Sequence, residues 1–491
     1  MWKKIKAIAS NKVMLYLTSR YATYFIQFLT SIFLAVKFGP YYFGIWGFIL
    51  LLINYINYIN FGISNSVNIL LVQNKNNVDH EKNIVANSLI LIGLLSLLII
   101  ILAIYYSIFG IKAFEKYEIG NYFYIICIIG IGFHFNSLFG TIYRVKNRLF
   151  ELAFFQSIVP ILLFLSLFFA TGKALLQLLL SMYLIAEVAA LIIFIINKKI
   201  PWGGKPSIKW SLQVLSKGFY LFIYNMCFFF IIISTRTIIS IFYSVEDFGY
   251  FTFSYTLANS MLLFLQALSI IIFPKIIDKL YSHNKENIKN ILNILNVNYI
   301  TLSYGLMFLA LIGFPIFIYF IPKYQETLKE LNLIAITVLL YTNSFGYGAY
   351  LMAQNQEKRL SIISLFSLCL NIALGLIIVL LFKATYEYVI IATLVSYFIY
   401  SYLLVKFARR KLGEKTIPIY VIFDFFPLRL LIPYILAVVI IIMKLEYLIF
   451  IPFLTFLILN RIELKQIITT ITTIISRPSI IDIKENETPR L

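Results

Sequence analysis

A chain of 491 residues that is 61% hydrophobic and 13% charged, with mean hydropathy +0.90, cannot hide its apolar surface from water. A soluble domain is nearer half apolar and a quarter charged, so lipid is the solvent here and a water-soluble enzyme is excluded. The net charge of +20, from 41 Lys and Arg against 21 Asp and Glu, would suggest nucleic acid in a soluble protein; in a membrane protein it reflects basic cytoplasmic loops that set topology, and no nucleic-acid partner is expected.

A spanning helix needs about 20 apolar residues, and apolar runs between charged, Gly, Pro and Asn punctuation predict fourteen spans. The N-terminal MWKKIKAIASNK has the look of a signal-peptide n-region, but Arg20 interrupts the next apolar stretch and no small-residue cleavage site follows. A retained cytoplasmic tail and first helix are expected. The first six spans are 13–36, 41–72, 84–109, 120–142, 153–171 and 174–196. A basic linker, Asn197 to Ser211, leads to 217–242, 250–273, 291–320, 330–353, 361–382 and 386–405. A second basic linker, Lys406 to Pro418, precedes 420–443, which Asp424, Pro427 and Arg429 interrupt, and the short 446–460. Beyond Arg461 an apolar stretch, Ile467 to Ile475, is expected on the membrane surface. The outer loops are short, the longest running from Gly110 to Asn121, and leave no room for a catalytic domain.

Charge checks the count. With the N-terminus inside, 29 Lys and Arg fall on the inner side and 8 on the outer. A missed or invented span would scramble that bias, so both termini are expected in the cytoplasm. Cys127, Cys227 and Cys369 lie in apolar segments without metal or disulfide spacing, and no metal or other cofactor is expected.

The two groups of six spans resemble each other. Phe43-Gly44-x-x-x-Phe48 recurs as Phe248-Gly249-x-x-x-Phe253, and the same offset of 205 carries Lys12 onto Lys217 and Asn54 onto Asn259. Arg148-Leu149 and Arg359-Leu360 follow the fourth and tenth spans. Six is even, so the halves run the same way, as parallel repeats. The expected fold is all-α and polytopic. It has one six-helix bundle in 1–205, a second in 206–412, and two extra helices with a cytoplasmic tail in 413–491.

Phe38-Gly39-Pro40-Tyr41-Tyr42-Phe43-Gly44 resembles the "LGPexyG" signature of polysaccharide flippases, and Asn60-Phe61-Gly62-Ile63 resembles their "fG" near the second helix. Thr235-Arg236, ahead of Gly249-Tyr250-Phe251, resembles their "DR … elGyY" pattern, with threonine where the pattern has aspartate. The resemblance is to Wzx-type O-antigen and capsule repeat-unit flippases, within the exporter superfamily that holds the lipid II flippase and the MATE drug exporters, and covers about the first 410 residues. It implies two six-helix bundles around a cationic cavity in the bacterial cytoplasmic (inner) membrane. The substrate implied is an undecaprenyl-pyrophosphate-linked oligosaccharide, moved by alternating access. Membrane lipids are the other implied partners, with a polysaccharide polymerase and a chain-length regulator beside the flippase.

The residues offer candidates for that task. A charge inside a spanning helix costs roughly 2.5–3.5 kcal/mol on insertion scales and usually faces a cavity or a partner. Arg20 shares a helical face with Thr23, Tyr24, Gln27 and Ser31. The repeat offset maps Arg20 onto Asn225 and Ser31 onto Arg236, placing two arginines at depths about 16 Å apart. They could form a ladder for pyrophosphate, which Arg binds bidentately, or snorkel to opposite surfaces. The second span carries Asn54, Asn57, Asn60, Asn65 and Asn68 within about 140° of arc, counting 100° per residue. The eighth carries Thr252, Thr256, Asn259 and Gln266. These suit either sugar hydroxyls or interhelical hydrogen bonds. Glu187 reads as the one carboxylate deep in the first twelve spans, for a coupling proton or an ion pair. His134 reads as a packed histidine, and Lys12, Lys217 and Arg144 as topology determinants that could also recruit an anionic head group. Two readings compete with a flippase. A MATE-like small-molecule exporter would favour an acidic cavity. A membrane polymerase would need catalytic groups on an outer loop. No P-loop is present, so ATP is not the direct energy source.

Overall fold

The computed structural model describes residues 12–75, 77–110, 112–260, 280 and 285–476. Among them there is no strand. Nine helices among the described residues are long and apolar enough to cross a membrane, or ten if one bent pair is a single span. The protein is an all-helical, multi-pass membrane protein.

The fourteen predicted spans map onto these helices with informative exceptions. The first two lie in α1 (Lys12–Tyr58), whose 47 residues would extend about 70 Å, more than twice a bilayer's hydrocarbon core. The helix is broken where Gly39 takes φ 65° and ψ 179°, just before Pro40, so it holds two segments. The second predicted span does not run to residue 72. A turn over 59–62 interrupts it before α2 (Ile63–Gln73). There Asn60 Oδ1 accepts from the Gly62 amide at 2.9 Å, and Phe61 and Gly62 both have positive φ. Spans three to seven follow as α3 (Val78–Phe109), α4 (Phe123–Val145), α5 (Leu149–Ser166), α6 (Gly172–Ile196) and, after the short amphipathic α7 (Ile208–Lys217), α8 (Phe219–Phe242). The helix α9 is described over residues 245–260, so Gln266 lies outside the described residues.

Further along, α10 (Lys285–Tyr319) contains a π-helical turn at Asn296–Ile300. The predicted tenth span is not continuous: α11 (Leu328–Leu339) passes through a 3-10 turn, Leu340–Ser344, into α12 (Phe345–Ala353). The α13 (Glu357–Leu380) and α14 (Ile390–Leu412) helices follow. The thirteenth span is α15 (Pro418–Phe425) and α16 (Leu428–Ile442), bent by 81° at Phe426-Pro427, where proline cannot continue a helix. The ten-residue α17 (Phe450–Leu459) and α18 (Arg461–Ser476) complete the described chain.

The chain forms two compact units. The first runs to Ser260 and adds Ile318–Leu331 and Glu357–Ser396. One of its cores joins Ile63 and Val67 of α2 to Leu138, Ile142 and Tyr143 of α4, Phe194 of α6 and Val214 of α7. The linker before α7 is docked rather than loose. Asn87 of α3 accepts from the Ser207 amide at 2.8 Å and donates to the Lys205 carbonyl at 3.0 Å. By contrast, Leu94, Leu97, Ile101 and Ile104 of α3 are exposed, a lipid-facing stripe. In the long loop after α3, Tyr117 stacks on Phe48 at 4.0 Å and donates to the Ser240 carbonyl at 2.9 Å. Nearby, hydrogen bonds from Lys173 and Tyr41 hold the Glu118 carboxyl below its ordinary pKa.

The second unit comprises the described residues up to Phe317 that follow the first, Asn332–Gln356, and the chain from Tyr397 on. Arg429 is fully engaged there. It donates to Asn460 Oδ1 at 2.5 Å and Thr301 Oγ1 at 2.8 Å, and meets Glu463 at 3.4 Å. Arg409 pairs with Asp424, and Tyr434 donates to the Ile336 carbonyl at 3.1 Å.

Within the first unit the two copies of the repeated motif pack on each other. A Cβ on Gly44 would lie 2.2 Å from the Val245 carbonyl oxygen, and one on Gly249 would lie 1.9 Å from that of Pro40. Phe43 meets Phe253 at 6.1 Å and Phe48 meets Phe248 at 6.4 Å, both edge to face. Under the offset of 205 these contacts exchange partners, and Gly47 against Thr252 pairs a position with its own repeat. That exchange is the signature of a local two-fold relation.

Candidate functional site

The turn that interrupts the second span opens a cavity of about 560 Å³ in the first unit. Its lining comes from the end of α1 (Asn54, Asn57, Tyr58), the turn and start of α2 (Asn60, Gly62, Ser64, Asn65), α4 (Phe133, Ser137) and α8 (Phe222, Asn225, Phe229). Gly62 is required twice over. Its φ of 76° suits glycine, and a Cβ there would lie 2.5 Å from Phe222 Cβ.

The lining is five amides, two hydroxyls and four aromatic rings, with no charged side chain. Ser64 and Ser137 bond each other at 3.0 Å, while Asn57 Oδ1 is buried without a partner. Tyr58 stacks on Phe229 at 5.0 Å. Such a surface can hydrogen-bond hydroxyls and receive an apolar ring face, and it offers an anion no counter-charge.

The predicted residues divide as follows. Asn54, Asn57 and Asn225 meet at this cavity. Asn259, the repeat partner of Asn54, is half-buried on α9 and is not part of the lining. The face of Arg20, Thr23, Tyr24, Gln27 and Ser31 is split: Thr23 is buried, 2.7 Å from Ser157 Oγ of α5, while Gln27 is exposed. Arg20 is half-buried, donates to the Tyr24 hydroxyl at 2.5 Å and leaves its Nε unsatisfied.

Arg236 does not snorkel. It is 4% exposed, donates to the Gly47 carbonyl at 3.3 Å, and lies over the rings of Phe248 and Tyr255. Its Nε is also unsatisfied, and among the described residues neither Arg20 nor Arg236 forms an ion pair. Neither Arg20 nor Arg236 is part of the cavity lining. The preceding Thr235 sits in a neutral network, 2.6 Å from Thr393 Oγ1 and accepting from Asn371 at 3.0 Å.

Glu187 is 2% exposed and accepts from Asn136 Nδ2 at 2.6 Å; among the described residues no cation pairs with it. His134 is buried with Nε2 2.8 Å from the Ile56 carbonyl. Arg144 and Lys217 are exposed, and the Lys12 side chain lies outside the described residues. The four rings of the cavity carried no distinguishing signal in a chain with 46 Phe and 35 Tyr. Glu187 is not the one deep carboxylate of the first twelve spans: Glu330, the first residue of the predicted span 330–353, is 1% exposed.

No protein-family profile matches the sequence, and no curated protein matches it. Solved structures do match in fold. Lipid II flippase MurJ in an inward closed conformation aligns with 96% of this chain and 100% of its own, at 15% identity and TM-score 0.68. An inward-facing multidrug resistance MATE family transporter of the MOP superfamily aligns with 82% of this chain and 98% of its own, at 12% identity and TM-score 0.63. A MATE structure in the straight conformation aligns with 83% and 96%, at 12% identity and TM-score 0.57. The chain shares the fold of these flippase and transporter structures.

Proposed function

We propose that this protein is a flippase for a polyprenyl-pyrophosphate-linked oligosaccharide, of the kind that becomes O-antigen or capsule, in the bacterial inner membrane. The observation that carries the proposal is the lining of the cavity: amides, hydroxyls and aromatic rings with no charge. Sugars present hydroxyls to amides and C–H faces to rings, so the cavity suits the neutral oligosaccharide. The pyrophosphate needs cations, and Arg20 and Arg236, which no carboxylate among the described residues neutralises, are the candidates. The repeats 1–205 and 206–412 would rock about the substrate, with both termini cytoplasmic and the last two spans accessory. Arg144, Lys217 and Lys12 would gather the anionic head group at the cytoplasmic entrance. The fold shared with a lipid II flippase agrees with this reading. A MATE-like exporter of cationic drugs would need an accessible carboxylate in the cavity, and none lines it.

The cavity residues test the sugar contact. A neutral hydrogen bond is worth about 0.5–1.5 kcal/mol, so Asn57→Leu should slow translocation by up to about tenfold. Asn54→Leu with Asn225→Leu should compound the loss, and the yield of folded protein should not change. Full activity of the triple variant would remove the cavity from the mechanism.

A further inference from the structure

Four of the five amides that line the cavity, Asn54, Asn57, Asn65 and Asn225, make no side-chain hydrogen bond among the described residues. The fifth, Asn60, commits its oxygen to the Gly62 amide, and Ser64 and Ser137 hold each other. The four amides therefore do not tie helices together, which is the ordinary use of an amide in lipid. Asn57 Oδ1 is also shut off from solvent and has no donor. A buried acceptor of that kind is unfavourable until something brings it a hydrogen bond.

The chemistry of that partner follows from the donor and acceptor count. A primary amide carries two N–H donors and one carbonyl acceptor. The four free amides, from α1, α2 and α8, thus present donors and acceptors together. Sugar hydroxyls and acetamido groups also donate and accept, so they can answer both. An ionised carboxylate only accepts. It would leave the carbonyl oxygens unanswered and face their negative ends. Its charge would also stand alone, since no Asp, Glu, Lys, Arg or His lines the cavity. A charge that leaves water without a partner is strongly disfavoured. The family resemblance implies a cationic cavity, and this lining departs from it.

We propose that the cavity is a charge filter on the oligosaccharide: it admits neutral and acetamido sugars and rejects sugars that carry a carboxylate. Asn54, Asn57, Asn65 and Asn225 set the preference. Discrimination comes from the unpaired charge that the wrong sugar must bury, rather than from extra contacts to the right one. The inference rests on the flippase reading and narrows its substrate to repeat units without an acidic sugar. Asn225 is the position at which the filter can be inverted. It is exposed and lines the cavity, so a lysine there has room to supply the missing counter-charge.

The test uses full-length protein in proteoliposomes and two trisaccharides on the same polyprenyl pyrophosphate. They are identical except that one carries glucuronic acid where the other carries glucose. The readout is the ratio of their initial translocation rates, from which protein yield cancels. The wild type should favour the neutral substrate by about tenfold or more. Asn225→Lys should lower that ratio several-fold, and Asn225→Gln, which keeps the amide, should leave it near the wild-type value. Equal rates for the wild type overturn the filter and leave the flippase reading standing. A neutral preference that Asn225→Lys does not move overturns the assignment of the filter to this cavity. Movement of neither substrate by folded wild-type protein overturns the flippase reading, and the filter with it. Should Asn225→Lys not fold, Asn65→Lys replaces it with the same expected and contrary results.

Discussion

Alanine at Gly249 should remove most of the folded protein from the membrane, and alanine at Gly44 should do nearly the same. Overpacking a core commonly costs about 1–3 kcal/mol. These sites belong at or above the top of that range, because the obstructing atoms are backbone. A Cβ at position 249 would sit 1.9 Å from the Pro40 carbonyl oxygen and 2.8 Å from its carbon. No rotamer change relieves that contact; α1 and α9 must separate. Separation would also pull apart the Phe43–Phe253 and Phe48–Phe248 contacts. Gly93 of α3 is the control, since a Cβ there meets nothing within 4 Å, and alanine is about 1 kcal/mol better than glycine inside a helix. Size-exclusion yield and Tm should fall sharply for Gly44→Ala and Gly249→Ala and hold or rise for Gly93→Ala. A Gly249→Ala protein with wild-type yield and Tm would show that the repeated motifs do not touch.

The arginines carry the second large effect. A hydrogen bond to a charged group is worth about 1.5–3 kcal/mol, so Arg20→Ala should cut surface polysaccharide by about tenfold to a hundredfold with the protein still in the membrane. Lysine should restore part of the activity, since it keeps the charge and loses the two-pronged geometry; full activity of Arg20→Lys would point to a structural role. Arg236 needs a different substitution because it is buried against rings. Replacing a buried charge by an apolar residue of similar volume is often neutral or stabilising, so Arg236→Met should fold as well as the wild type and fail to transport. An active Arg236→Met protein, or normal export from the Arg20→Ala, Arg236→Ala double variant, would dismiss the arginine ladder.

Much of the helical order was legible because span length is set by bilayer thickness and apolar runs report it directly. Breaks inside a run were not legible, since neighbouring apolar residues mask a local turn. Asn60-Phe61-Gly62 interrupts α1 from α2 through an amide cap and two positive φ values, and neither changes the hydropathy. The length of the run from 41 to 72, well beyond the roughly 20 residues a bilayer requires, was the available hint. Thr342-Asn343-Ser344 broke the tenth span in the same quiet way. The repeat was legible in Phe-Gly-x-x-x-Phe, but its packing partner was not: only coordinates show that each copy closes on the other. Asn54, Asn57 and Asn225 could be named because amides are conspicuous in lipid. The rings beside them could not, and the burial of Arg236 depends on tertiary packing that no helical projection contains.

Translocation in proteoliposomes tests the central claim most directly. Purified protein is reconstituted with a labelled polyprenyl-pyrophosphate oligosaccharide, and the fraction of sugar reached by an externally added modifying enzyme is followed over time. The account predicts that a second fraction of the label, initially protected inside, becomes accessible only in vesicles holding the wild-type protein. Arg20→Ala and the Asn54, Asn57, Asn225 triple variant should slow that step. Protected label that stays protected with folded wild-type protein, in vesicles that nonetheless move a cationic dye, would contradict the account and favour a small-molecule exporter.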